Sequence, residues 1–205
     1  MTFDDGPAHP ATLEIARYLA DRQIPATFFV VGDEAAKHRE TLCALIDLGH
    51  TLGNHTRSHT RLTASTTTDN WAIEEVLAPE RTLLEAGAQT PIPFRAPYGA
   101  WNRRLAYVFN NDRRLRESHS GPVGWDIDGE DHRCWREGRS PEDCARHYLA
   151  AIESRRSGIV LFHDRTADAE KRAGNRTGEM LRLLIPQLQA RGYGFTGLPR
   201  PVSLQ

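Results

Sequence analysis

Short apolar runs alternate with amphipathic stretches along the whole chain. Ala26-Thr27-Phe28-Phe29-Val30-Val31, closed by Gly32, and Gly158-Ile159-Val160-Leu161-Phe162 are continuous apolar runs of strand length. That is the pattern of strands covered on both faces. Met1 to Asp4, His50 to Asn54, Pro93 to Ala96, Pro122 to Trp125 and Gly194 to Leu198 are shorter strand-like segments. Between them, Leu13, Ile15, Ala16 and Leu19 share one face of a helix over Ala11 to Asp21. A second helix is predicted over Glu34 to Leu48, closed by Gly49, and a third over Asp69 to Ala86, capped near Thr68 and stopped at Gly87. Asn102 to Asn110 reads as helix. Ser140-Pro141 opens another that runs to about Arg156, and Glu179 to Ala190 is the last. The polar stretch from Arg165 to Asn175 reads as loop. About seven strands alternating with helices predict a parallel α/β fold in a single domain spanning residues 1–205.

Chemistry gathers at one place in this pattern. Asp4-Asp5, His55, Arg95, Asp126 to Asp131 and His163 each fall just after a predicted strand. In a parallel sheet or a β/α barrel that edge carries the active site. No Gly-rich phosphate loop follows any strand, which favours a barrel over a nucleotide-binding sheet.

Charge and composition exclude more than they select. A net charge of −1 gives no reason to expect nucleic acid or an acidic membrane as partner. No apolar run approaches the length of a membrane span, and no signal peptide precedes the first motif. A strand reduced to Met1–Asp4 is short, so a natural precursor is expected to carry a segment upstream. Cys43, within Leu42 to Ile46, is expected in the core. Cys134 and Cys144 flank a Gly-Arg-Ser-Pro turn, a spacing that allows a bridge without requiring one.

The candidate chemistry starts with two adjacent carboxylates, Asp4 and Asp5, where a strand meets Gly6-Pro7. Neighbouring like charges repel unless a cation or a shared proton intervenes. A metal on one acid, with the other left as base, resolves the conflict. His55-Thr56-Arg57-Ser58-His59 places two imidazoles four apart, on a common face if that segment makes a helical turn. With nine histidines in the chain, chance supplies roughly 0.4 such pairs, so the spacing needs context. Two His and one carboxylate leave the open coordination position of a catalytic zinc site. The bland readings are a solvated Asp-Asp-Gly-Pro turn, a surface ion pair at Arg95 and a strand-ending His163.

Taken together and in order, Thr2-Phe3-Asp4-Asp5-Gly6-Pro7, His55-Thr56-Arg57-Ser58-His59, Arg95-Ala96-Pro97-Tyr98, Asp128-Gly129-Glu130-Asp131 and Leu161-Phe162-His163 resemble the five motifs of the NodB-type polysaccharide deacetylases, carbohydrate esterase family 4. The resemblance implies a distorted, incomplete (β/α) barrel of about seven repeats and metal-dependent removal of acetyl groups from sugars. It implies that Asp5, His55 and His59 hold a divalent metal, with zinc favoured by the mixed N/O donor set. Asp4 would be the general base, paired with and oriented by Arg95. The backbone amide of Tyr98 would support the oxyanion. His163 would be the general acid, oriented by Asp131, and Leu161 would line the acetyl pocket.

One position departs from the family: His132 stands where a tryptophan usually walls the acetyl pocket, and Trp125 or Trp135 is expected to supply that wall. The leading expectation is N-deacetylation of N-acetylglucosamine glycans, either chitin oligomers or peptidoglycan. The alternatives are O-acetyl esterase action on xylan and a non-catalytic sugar-binding module. The resemblance implies a secreted or periplasmic protein, with a cytoplasmic one left open, and oligomeric state is not readable.

Overall fold

The computed structural model describes residues 1–165 and 174–199. Among these residues seven parallel strands alternate with helices. β1 (Thr2–Asp4), β2 (Thr27–Val30), β3 (Thr51–Asn54), β6 (Ile127–Asp128) and β7 (Val160–His163) form one sheet in the order β3-β2-β1-β7-β6. β4 (Ile92–Pro93) and β5 (His119–Ser120) form a second pair, joined to β3 by an Asn54–Phe94 bridge. The wall therefore runs β6-β7-β1-β2-β3-β4-β5, with no ladder between β5 and β6 among the described residues. It is the incomplete barrel that the motif order implied.

β1 is central: all three of its residues are buried and a strand pairs with it on each side. Phe3 stacks on Phe28 at 4.8 Å and on Phe162 at 5.4 Å, and Tyr148 stacks on Phe162 at 4.6 Å. These rings lie under α1 (Ala11–Ala20), α3 (Arg39–Asp47), α9 (Pro141–Arg155) and α10 (Thr177–Ala190), whose apolar faces complete the main core. A second cluster around Phe94, Leu105 and Val76 lies under α4 (Asp69–Leu77), α6 (Arg103–Asn111) and α7 (Arg113–Ser118). No helix among the described residues is long and apolar enough to cross a membrane.

Register is what places the site. Asp4 pairs with Phe29 on one side and His163 on the other, and Asn54 pairs with Val30. The strand ends carrying Asp4, His163 and Asn54 therefore sit at one edge.

Several expected elements differ. The helix over Glu34 to Leu48 is two, α2 (Gly32–Ala35) and α3, parted at His38, which leaves the helical region at φ −128°. The helix over Asp69 to Ala86 breaks at Pro79 into α4 and α5 (Glu80–Glu85), because proline has no N–H to continue the ladder. Pro122 to Trp125 is not a strand. Gly121 turns at φ +135° and Pro122 cannot donate, so pairing falls on β5 before and β6 after. Gly194 to Leu198 joins no ladder; Tyr193 and Phe195 pack on the core instead. Cys43 is exposed, and Cys134 and Cys144 are buried free thiols, so the bridge is not formed. Residues 166–173 of the expected Arg165–Asn175 loop lie outside the described residues.

Candidate active site

At the end of β1 the strand alternation is broken by one residue. Asp5 adopts φ +78°, so its carboxylate and that of Asp4 both line the same cleft of about 440 Å³. Gly6 follows because no side chain fits: a Cβ there would lie 2.2 Å from Asp164 Oδ2.

The two histidines come from a loop, not from a helical turn as the spacing suggested. Asn54 Oδ1 accepts the N–H of Thr56 at 2.8 Å, and Thr56 Oγ1 accepts that of His59 at 3.1 Å. Those local bonds support left-handed φ at Thr56 (+68°) and His59 (+58°). Glu75, buried on α4, clamps the loop from below. Its Oε2 accepts from Ser58 N at 2.9 Å and Ser58 Oγ at 2.8 Å, and Oε1 faces Arg57 at 2.7 Å.

The loop delivers His55 Nε2 to 3.5 Å and His59 Nε2 to 3.0 Å from Asp5 Oδ1. His55 Nδ1 lies 2.9 Å from the Arg95 carbonyl, which only accepts, so Nδ1 carries a proton and Nε2 is the atom turned to Asp5, where an ion would take the place of its proton. Burial would raise the Asp5 carboxyl, but hydrogen bonds from His55 and His59 outweigh it and hold it well below the usual carboxylate range. Burial would likewise lower His55, and the Asp4 and Asp5 charges raise it instead. One carboxylate and two imidazoles with mutually close ligand atoms fit a divalent metal.

Arg95, fully buried, ties three segments together. Nη1 donates to Asp4 Oδ1 at 2.7 Å and Thr2 Oγ1 at 2.9 Å, Nε to Val123 O at 3.1 Å and Nη2 to Gly124 O at 3.0 Å. Tyr98 sits in a tight turn (Pro97–Gly99) at φ +61°, its ring exposed, 4.8 Å from the His59 ring. A Cβ on Gly99 would meet Trp125 at 2.7 Å, so the turn packs against that indole.

Across the cleft, His163 ends β7 and faces Asp131, the first residue of α8 (Asp131–Arg136). Its Nδ1 lies 2.7 Å from Asp131 Oδ1, and its backbone N–H donates to Asp131 Oδ2 at 2.7 Å. Burial would lower the His163 imidazole; the buried Asp131 carboxylate overrides it and pushes it up to about 10. Leu161, Trp125, Trp135 and His132 line the cleft, while Arg95 and Asp131 stand behind it. A larger groove of about 760 Å³ opens elsewhere, between Met1, Val160 and Phe195, and holds none of these groups.

Three functional neighbours escaped the sequence reading. Glu75 falls inside the predicted Asp69–Ala86 helix, and nothing in the sequence singles it out. Asp164 directly follows His163, yet nothing in the sequence marks it as buried; Thr12 Oγ1 donates to its Oδ2 at 2.5 Å and burial raises it to about 7. Thr177 Oγ1 donates to Asp131 Oδ2 at 3.1 Å from the far end of the chain.

The polysaccharide deacetylase family model matches residues 1–112. A chitooligosaccharide deacetylase of Rhizobium leguminosarum bv. trifolii is 35% identical, over 98% of this chain and 89% of its own length. The chain belongs to the polysaccharide deacetylase family. It is accordingly a hydrolase of acetylated carbohydrates. The peptidoglycan-N-acetylglucosamine deacetylase PgdA of Listeria monocytogenes (strain 10403S) is 26% identical over 95% of this chain, which spans only 36% of that protein. The solved structure of the Bc1960 peptidoglycan N-acetylglucosamine deacetylase superposes with a TM-score of 0.77, at 27% identity, covering 97% of this chain and 84% of that one.

Proposed function

We propose that this protein removes N-acetyl groups from N-acetylglucosamine-containing glycans, with short chitin oligomers or peptidoglycan strands as substrates and zinc as its metal. The observation that carries this reading is the placement of Asp4 and His163 on paired strand ends, facing the Asp5–His55–His59 cluster across one cleft.

Asp5, His55 and His59 would hold the zinc, which when bound polarises the acetyl carbonyl and makes water a better nucleophile. Asp4, oriented by Arg95, takes a proton from the attacking water. The Tyr98 amide donates to the oxygen of the tetrahedral intermediate. His163, protonated beside Asp131, gives its proton to the leaving nitrogen, and the C–N bond breaks to acetate and free amine. Leu161 and Trp125 enclose the acetyl methyl. Peptidoglycan lies outside the cytoplasm, so with that substrate the protein would act there.

Acetate release from chitin oligomers, peptidoglycan and acetylated xylan, assayed side by side, tests the reading. Turnover of the first or second above the third is expected. Release from xylan alone, or from none, overturns it.

A further inference from the structure

His132 is the one motif position that departs from the family pattern, and its surroundings give it a use. Asp131 holds two histidines at once. Its Oδ1 accepts the backbone N–H of His132 at 2.8 Å and faces His163 Nδ1 at 2.7 Å; its Oδ2 accepts the backbone N–H of His163 at 2.7 Å. Both backbones are thereby fixed, and His163 is left with Nε2 as its free ligand atom. His132 is exposed and its ring meets that of His163 edge-on, centroids 5.2 Å apart. Two imidazoles sharing one tetrahedral ion through bonds of about 2.0–2.1 Å have centroids about 5.2 Å apart. The His55 and His59 rings, the pair in the principal cluster, stand at 4.9 Å. Ligand atoms of Asp131, His132 and His163 lie within 4.8 Å of one another.

We infer that His132 and His163 form a second divalent-cation site, separate from Asp5–His55–His59, with Asp131 as the outer partner that orients the His163 ring. Imidazole donors select borderline ions such as Zn²⁺, Co²⁺ and Cu²⁺ over Mg²⁺ or Ca²⁺. Asp131 already receives four hydrogen bonds, counting that from Thr177, so it backs the ligand rather than joining it. Two neutral ligands and solvent bind more weakly than a carboxylate with two imidazoles, so this site fills second. Filling it silences the enzyme: the Nε2 lone pair goes to the ion, the proton it carried goes to solvent, and nothing remains to protonate the leaving amine. The silencing rests on the role proposed above for His163; the site itself does not.

Metal-stripped protein titrated with Co²⁺, followed by equilibrium dialysis and visible absorption, tests the site. Two equivalents are expected, the second at least tenfold weaker. His132→Ala, a change at an exposed side chain, should lose the second and keep the first; His55→Ala should do the reverse. A single equivalent in the wild type, or an unchanged second equivalent in His132→Ala, overturns the site. Acetate release from chitin oligomers in rising Zn²⁺ separates the two readings. Wild-type turnover should fall, and His132→Ala should need at least tenfold more Zn²⁺ for the same loss. A second ion lost with His132 that leaves turnover undiminished overturns the silencing and His163 as the acid, but not the site.

Discussion

His163 meets Asp131 twice, through Nδ1 and through its own backbone N–H, each at 2.7 Å and each to a different carboxylate oxygen. The carboxylate thus fixes both the ring and the strand end that carries it. Its charge is what holds the imidazole protonated against burial, up to about 10. With His163 as the proposed acid, which must be protonated to work, activity is expected below its pKa and lost as pH rises through it. Asp131→Asn keeps the shape and removes the charge. The alkaline limb of the pH–rate profile should then move to lower pH by about 1–3 units, with the acidic limb nearly unmoved. A profile whose alkaline limb stays in place refutes the pairing.

Asp4 and Asp5 face one cleft but differ in partners: Arg95 for Asp4, His55 and His59 for Asp5. Asp4→Asn should retain one zinc by elemental analysis and lose kcat by about 10²–10⁴-fold. Asp5→Asn should lose the zinc first. Equal metal loss in both variants means the roles of base and ligand are wrongly divided.

Glu75 grips the histidine loop through Ser58 and Arg57 without approaching the cleft. Glu75→Ala leaves those donors without their buried acceptor, at a cost of about 1–3 kcal/mol. Support of this kind tunes metal affinity by about 10–100-fold. Weaker zinc binding, together with a lower Tm of the metal-free protein, is the expected outcome. Partial recovery of zinc affinity in Glu75→Gln, which keeps one acceptor oxygen, separates positioning from simple loss of fold. Unchanged zinc affinity in Glu75→Ala removes the loop clamp from the account.

Much of this is legible in the sequence, for identifiable reasons. β2 is buried along its length and β7 at Leu161 and Phe162, on opposite faces, so both lie in largely apolar runs. The convergence of Asp4 and Asp5 follows from a strand end beside Gly-Pro, and φ +78° at Asp5 is how it is done. What misled was chemistry that the helical period hides. Pro79 cuts a pattern that otherwise runs on to Ala86, and Asn54 folds the histidine loop through side-chain bonds that spacing does not encode. Leu42 to Ile46 looked apolar throughout, yet Cys43 lies on the outer side of α3 while Leu42 and Leu45 face inward. Glu75 and Thr177 matter because tertiary packing brings them 17 and 46 residues along the chain to Ser58 and Asp131.

Asp164 carries the last prediction. Its carboxyl is fully buried beneath Gly6; Oδ2 is bonded to Thr12, and Oδ1 has no hydrogen-bond partner among the described residues. Burial raises its pKa to about 7, against about 3.9 in an unfolded chain. Between these values the folded protein holds one proton that the unfolded chain has released. Stability attributable to this group is therefore full below about pH 4 and falls as pH rises to about 7, by a total of about 4 kcal/mol. Asp164→Asn stays neutral throughout and escapes that loss. The Tm of the variant minus that of the wild type should rise by roughly 5–10 °C between pH 5 and 8, for a protein of this size. The charges of Asp5 and Asp4 contribute to the shift, so a cation between Asp5, His55 and His59 should shrink the rise. Measured on metal-stripped and zinc-loaded protein, the difference should be larger in the first. A constant offset across the range, whatever its sign, means that Asp164 is charged in the folded protein and that the buried carboxyl is satisfied in some other way.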